Sequence, residues 1–134
     1  MTTEVVKAET WLYGVLHGDA QLCALINSQV YAYVAPESAS YPFVVYHQQA
    51  ASDVGGVGPV IIAASLLYTV KAVTVGRSYS ALDPIAARIH TLLHAQGGGN
   101  IIACVRESVF SLPEVDGGIE YRHLGGIYRI MVAP

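Results

Sequence analysis

"LLYTVKAVTVGRSYSALDPIAARIHTLLHAQGGG", Leu66 to Gly99, holds the contrast on which the fold turns. Leu66 to Val75 is of strand length and rich in valine, with Tyr68 and Thr69 among its residues; branched and aromatic side chains suit a pleated surface. From Leu82 the period changes. Leu82, Ile85, Ala86, Ile89, Leu92 and Leu93 recur at three- and four-residue steps, which is the apolar stripe of an amphipathic helix. Asp83 and Pro84 supply a cap and a first-turn residue, because proline has no amide hydrogen to lose there. Gly97, Gly98 and Gly99 are expected to stop the helix.

Working outward, Phe43 to Gln49 reads as a partner strand, separated from Leu66 by a long loop that contains Gly55, Gly56 and Gly58. Val30 to Val34 is a short strand ahead of a Pro36 to Ser40 loop. Thr3 to Leu16 carries Val5, Ala8, Trp11, Leu12, Val15 and Leu16 on one helical stripe. Thr2 or Thr3 can cap this helix, and His17 with Gly18 ends it, since glycine tolerates the left-handed conformation that closes helices. Asp19 can cap a second, short helix through Ile26, with Leu22, Leu25 and Ile26 on one face. Downstream, Ile101 to Leu112 and Ile119 to Val132 are strand-like, the second interrupted at Gly125 and Gly126 by a bulge or bend. Helices, strands, helix, strands, without regular alternation, predict an α+β fold: a mixed, mainly antiparallel sheet with helices packed mostly on one face, in one domain over residues 1–134.

Composition narrows the function. Of the 134 residues 53% are hydrophobic and only 13% charged, where soluble domains average about 25% charged. So few charges cannot cover a small globule, and burial against other subunits is expected. The net charge is −3, and Lys7, Lys71, Arg77, Arg88, Arg106, Arg122 and Arg129 are scattered singly, which argues against tight nucleic-acid binding. The longest apolar run, "VIIAASLLYTV" from Val60, reaches about half of the roughly 20 residues a spanning helix needs. "MTTEVVKAETW" lacks the basic-then-apolar layout of a signal peptide, so a cytoplasmic product at the point of synthesis is expected. Cys23 and Cys104, far apart and in apolar contexts, read as reduced, buried thiols.

The candidates for chemistry are weak. In "YPFVVYHQQAASDVGGVGP", Tyr41 to Pro59, the glycines are followed by no lysine and by strand-like sequence, so the helix terminus that a phosphate loop requires is missing. A flexible connection, ordered against a partner, is the expectation. His90 and His94 share a helical face, but "HTLLH" lacks the glutamate of a zinc protease and a third ligand; near a helix C-terminus such histidines are simply favourable. Cys23 or Cys104 with His17, His47 or His123 has no local support, and no Gly-x-Ser-x-Gly elbow occurs. Glu114 and Asp116 in "LPEVDGG" read as solvated turn acids. Tyrosine is abundant, 9 against 2 Phe and 1 Trp, and suits surfaces that are wet alone and covered in a complex.

Taken together, "YPFVVYHQQ", "YTVKAVTVGRSYSALDPIAARIHTLLH" and "IEYRHLGGIYRIMV", preceded by a helix and by "DAQLCALINSQVYAYVAP", resemble the tail terminator proteins of long-tailed bacteriophages and phage-like gene transfer agents. These are also called tail completion or head-tail joining proteins. The resemblance covers most of the chain and lies in order and texture. It implies a virion protein that caps the tail tube as a hexameric ring, ends tube polymerisation and offers the docking surface for the head. It implies as partners the tail tube protein and a neck or head-completion protein, with DNA passing through the lumen without specific binding. It implies no cofactor, metal or catalytic residue, and a place at the tail-neck junction after assembly in the host cytoplasm.

The candidate assembly element is the loop bearing Asp53, Gly55, Gly56, Gly58 and Pro59. Other readings stay open. The chain could be another neck or connector protein, a small dimeric α+β ligand-binding domain using His47, Gln48 and Gln49, or a regulator that binds one host protein.

Overall fold

A computed structural model describes residues 3–134. Two helices come first, α1 (Glu4–His17) and α2 (Ala20–Ile26), then β1 (Val30–Ala32), β2 (Phe43–Gly55) and β3 (Ile61–Val75). Helix α3 (Asp83–Leu93) follows, with β4 (Gln96–Gly98), β5 (Ile101–Asp116) and β6 (Ile119–Val132) behind it. The strands form a six-stranded sheet in the order β1-β2-β3-β6-β5-β4. Among the described residues only β1 and β2 run parallel; every other neighbouring pair is antiparallel. The fold is α+β, as the sequence predicts.

Strand alternation explains why the helices lie on one face. Val44, Tyr46, Leu66, Tyr68, Val70 and Ala72 point to one side with Tyr128, Ile130 and Val132, and there they meet Ala8, Leu12 and Leu16 of α1, Leu22 and Ile26 of α2, and Ile85, Ile89 and Leu93 of α3. Most of this core is fully buried, with Tyr68 opposite Tyr128 at its centre. A smaller cluster, Phe43, Val45 and Val73 with Tyr31, Ala35 and Ala39 against them, occupies the other face.

The termini of the helices differ from expectation in instructive ways. Gly18 ends α1 in a right-handed conformation at φ −81°. Its need for glycine is steric: a Cβ there would stand 2.6 Å from the Gly14 carbonyl oxygen. Thr3 precedes α1 without a side-chain cap bond, and Thr2 lies outside the described residues. Asp19 does cap α2, accepting from the Leu22 amide at 2.8 Å, while Leu25, expected on the inner face, is exposed. Asp83 falls inside the first turn of α3, not at its cap, and there its charge suits the helix dipole. The helix stops at Leu93, with Ala95 at φ 60°, before the glycines, and Gln96–Gly98 instead form β4.

The largest differences lie in the strands. Beyond Gln48 and below Leu66 the chain remains paired, so β2 and β3 make one long hairpin where a long loop was expected. Likewise β5 runs on to Asp116, and Gly117 and Gly118, at φ 59° and 80°, make the tight turn into β6. No bulge or break occurs at Gly125 and Gly126, where β6 pairs continuously with β3. The irregularities sit elsewhere, near Gln49 in β2, Ile62 in β3, Ile102 and Glu107 in β5, and between β4 and β5.

Candidate assembly surfaces

The glycine segment is the tip of the β2–β3 hairpin. The Gly56 amide donates to the Val60 carbonyl at 2.7 Å, closing the turn, and Gly58 sits at φ +76°, where a side chain would be strained. Asp53 lies on β2 shortly before the turn, paired across to Ala64. Around Gly55, Gly56, Gly58 and Pro59 the side chains are apolar and open. Val57 is 99% exposed, and Val60, Ile61 and Ile62 are each about half exposed. The segment "VIIAAS" has strand-like texture in the sequence, and the strand expected from Leu66 in fact begins at Ile61.

A second hairpin, β5–β6, reaches the opposite way. Since Ala64 pairs with Val132 and Val75 with Tyr121, the two hairpin tips overhang opposite ends of the sheet. Beyond Cys104, β5 has no outer neighbour, and Val109 and Val115 are 63% and 67% exposed along it. Glu114, expected at a turn, stands in this strand and pairs with His123 of β6 at 2.9 Å. Asp116 ends the same strand. On the same hairpin, Arg129 binds both Glu107 and the Ser65 hydroxyl.

The face away from the helices carries a shallow furrow of about 870 Å³. Tyr33, Tyr41 and Tyr121 rim it, Phe43, Val45 and Val73 floor it, and His47, Lys71, Glu114 and His123 supply its polar groups. The Lys71 ammonium lies 5.3 Å from the centre of the Phe110 ring, and burial holds it below its ordinary pKa while Glu114 opposes. Burial, and then the Lys71 charge, hold the His47 imidazole below its ordinary value. Of the trio His47, Gln48 and Gln49, the first two line the furrow and Gln49 stands in the bulge outside it.

His90 and His94 stack at 4.7 Å between ring centres, and His94 Nδ1 accepts from the Arg106 amide at 3.1 Å. Among the described residues no three His, Cys, Asp or Glu side chains come together as a metal would require. Burial first, then the charges of Arg106 and His94, lower the pKa of His90. Cys23 and Cys104 are free thiols, but only Cys104 is buried; Cys23 is partly exposed, against expectation. Burial pushes the Cys104 thiol up to about 12, the opposite of what a nucleophile needs.

Two lowered histidine pKa values fix the sign of the pH response. Between the folded value and 6.5 the unfolded chain binds the proton and the folded chain does not, so stability falls as pH drops through that window. Thermal melts should therefore shift downward from pH 7.5 to pH 5.5, and His47→Gln should flatten the slope. An unchanged slope would remove His47 from this account. The carboxylates held down by arginines, Asp19 by Arg88 and Glu107 by Arg129, lose their contribution only at lower pH.

A sheet with two overhanging hairpins, a half-open edge and three helices on one face defines the architecture. The same architecture occurs in a solved chain of the virion of a native gene transfer agent particle, at TM-score 0.74 and 17% identity, covering 92% of each chain. No protein-family model and no curated protein sequence matches this chain.

Proposed function

We propose that the chain, as a single tail-terminator-like domain over residues 1–134, is a non-enzymatic structural protein of a phage-like particle. In this reading it caps the tail tube as a hexameric ring, ends tube polymerisation and presents the docking surface for the head. The observation that carries it is the likeness in fold to a gene transfer agent virion chain along nearly the full length of both. Three properties of the surface support it: scarce charge, the apolar hairpin tip, and sheet edges left without neighbours. The partners are further copies of the chain, the tail tube protein and a neck or head-completion protein, with DNA passing through the lumen unbound. Its place is the tail-neck junction of the virion, reached after assembly in the host cytoplasm. A position elsewhere in the neck or connector is a second reading, which the same likeness supports.

Light scattering of the purified protein over a wide concentration range, followed by negative-stain imaging with and without tail tubes, tests this. Rings, free or seated on tube ends, are expected. A strict dimer that never decorates tubes would sink the reading and turn attention to the furrow, where a ligand-dependent rise in melting temperature would be sought.

The hairpin tip is the proposed contact arm, with Asp53, Gly55, Gly56, Gly58 and Pro59 as its residues. Replacing Gly55, Gly56 and Gly58 by alanine should lower tube binding and particle yield severalfold. The direct strain is greatest at Gly58, where the left-handed conformation costs an L-residue about 1 kcal/mol. Full particle yield from this variant would make the tip a mere connector.

A further inference from the structure

Arg106 and Asp53 are unpartnered charges at two places where the sheet ends without a neighbour. Among the described residues Arg106 is the one lysine or arginine whose charged head meets no carboxylate, carbonyl or aromatic ring. It lies on β5 just past Cys104, the last residue that β4 covers, and from Glu107 to Asp116 the outer side of β5 is open. Across the sheet, β1 pairs with β2 only as far as Tyr46, whose carbonyl also accepts from the Tyr33 amide at 2.7 Å. From Gln49 to Gly55 the outer side of β2 is open too, and Asp53 is its single charged residue, exposed and without an ion-pair partner.

The two open edges match in direction, face and register. Strands β2 and β5 run opposite ways, because three antiparallel steps separate them. A second copy therefore brings its β2 beside β5 as an antiparallel neighbour without being turned over. Asp53 pairs internally with Ala64, and Arg106 with Tyr128, so both side chains belong to the helix-bearing face. Residues directly opposite in an antiparallel ladder share a face; the Arg106 amide is held by His94 Nδ1, so Arg106 stands at the end of the ladder and offers its side chain alone to Asp53 of the next copy. The same register sets Val109 beside Ala51, and the bulges at Glu107 and Gln49 keep the faces aligned beyond them. Pro113, which has no amide to donate, falls past the end of this ladder.

We propose that copies of the chain join head to tail by pairing the open edge of β5 in one with the open edge of β2 in the next, Arg106 meeting Asp53 across the joint. The contact is heterologous, the kind that generates rings when its rotation closes. The open half of β5 lies toward the Gly117–Gly118 turn and the open half of β2 toward the Gly56–Val60 turn, at opposite ends of the sheet. Successive copies are thus staggered along the strands, as the tilted strands of any closed sheet must be. This inference rests on the self-association in the proposed function and specifies its surface.

Solution mass is measured for the natural chain, Arg106→Glu, Asp53→Arg and the double variant. Each single variant should need at least about tenfold higher protein concentration to assemble, since like charges then face each other, and the double variant should return to within a few-fold of the natural chain. Melting temperatures should barely move, because neither charged head has an internal partner. Single variants that assemble normally, or a double variant that stays as dissociated as the singles, overturn the edge pairing while leaving self-association intact. A natural chain that remains monomeric, alone and on tail tubes, overturns both. Val109→Cys with Ala51→Cys, in a Cys23→Ser background, should form covalent multimers on oxidation; assembly without such cross-links also overturns the pairing.

Discussion

Gly125→Val is expected to yield no soluble folded protein, judged by gel filtration and by loss of a cooperative melt. A Cβ at Gly125 would lie 2.1 Å from the Val70 carbonyl oxygen and 2.6 Å from the Lys71 Cα, both backbone atoms of β3. No rotamer change relieves a clash with backbone. The site is also central, since β6 carries one half of the sheet and β3 the other, and Lys71 pairs with Gly125 between them. Overpacking of a well-filled core usually costs about 1–3 kcal/mol, and here the strands themselves must part, so the loss should exceed that range. Gly58, open on all sides, is the contrasting case: Gly58→Ala should melt within a few degrees of the natural chain. If Gly125→Val retained the natural melting temperature, the close crossing of β3 and β6 would be wrong.

Glu9→Ala should destabilise the chain by about 1–3 kcal/mol, read from denaturant midpoints at constant slope. Glu9 projects from α1 and its Oε2 accepts from two phenols, that of Tyr68 at 2.9 Å and that of Tyr33. Tyr68 is fully buried at the centre of the helix-bearing face. Burial, and then the Glu9 bond and charge, drive its pKa well above the ordinary tyrosine range, so it remains a proton donor throughout. Removing the carboxylate takes away the acceptor of a buried hydroxyl, a larger penalty than the net value of the bond. Glu9→Gln keeps an acceptor oxygen and should recover at least half of the loss. Equal losses in the two variants would place the effect in the helix instead of the phenol.

The elements whose signal is local were legible in the sequence. Helix α3 announces itself through Ile85, Ile89 and Leu93, and α1 through Ala8, Leu12 and Leu16, because the stripe that defines each helix is also the side it buries. The α+β class followed from their order. Strand ends were not legible: Ala50 to Gly55 and Pro113 to Asp116 are polar or turn-like and are held in the sheet by partners far along the chain. Gly125 looked like an interruption because the neighbour that demands a glycine there, Val70, is distant in sequence. The proposed assembly surface divides the same way. The glycine tip could be singled out from Gly55, Gly56 and Gly58, but Arg106 looked like any scattered cation until the sheet order put it on an open edge opposite in kind to Asp53.

Asp19 has a consequence for the order in which the chain folds. Its carboxylate caps α2 through the Leu22 amide and also receives a two-pronged bond from Arg88 of α3, at 2.9 and 2.7 Å, across a separation of 69 residues. A helix of only seven residues does not hold in water by itself. Leu22 and Ile26 find their cover among side chains that arrive with α3 and the sheet. During synthesis α2 leaves the ribosome long before α3, and it waits. The second element of the chain thus gains its charged partner only when residues 69 positions further along have been made.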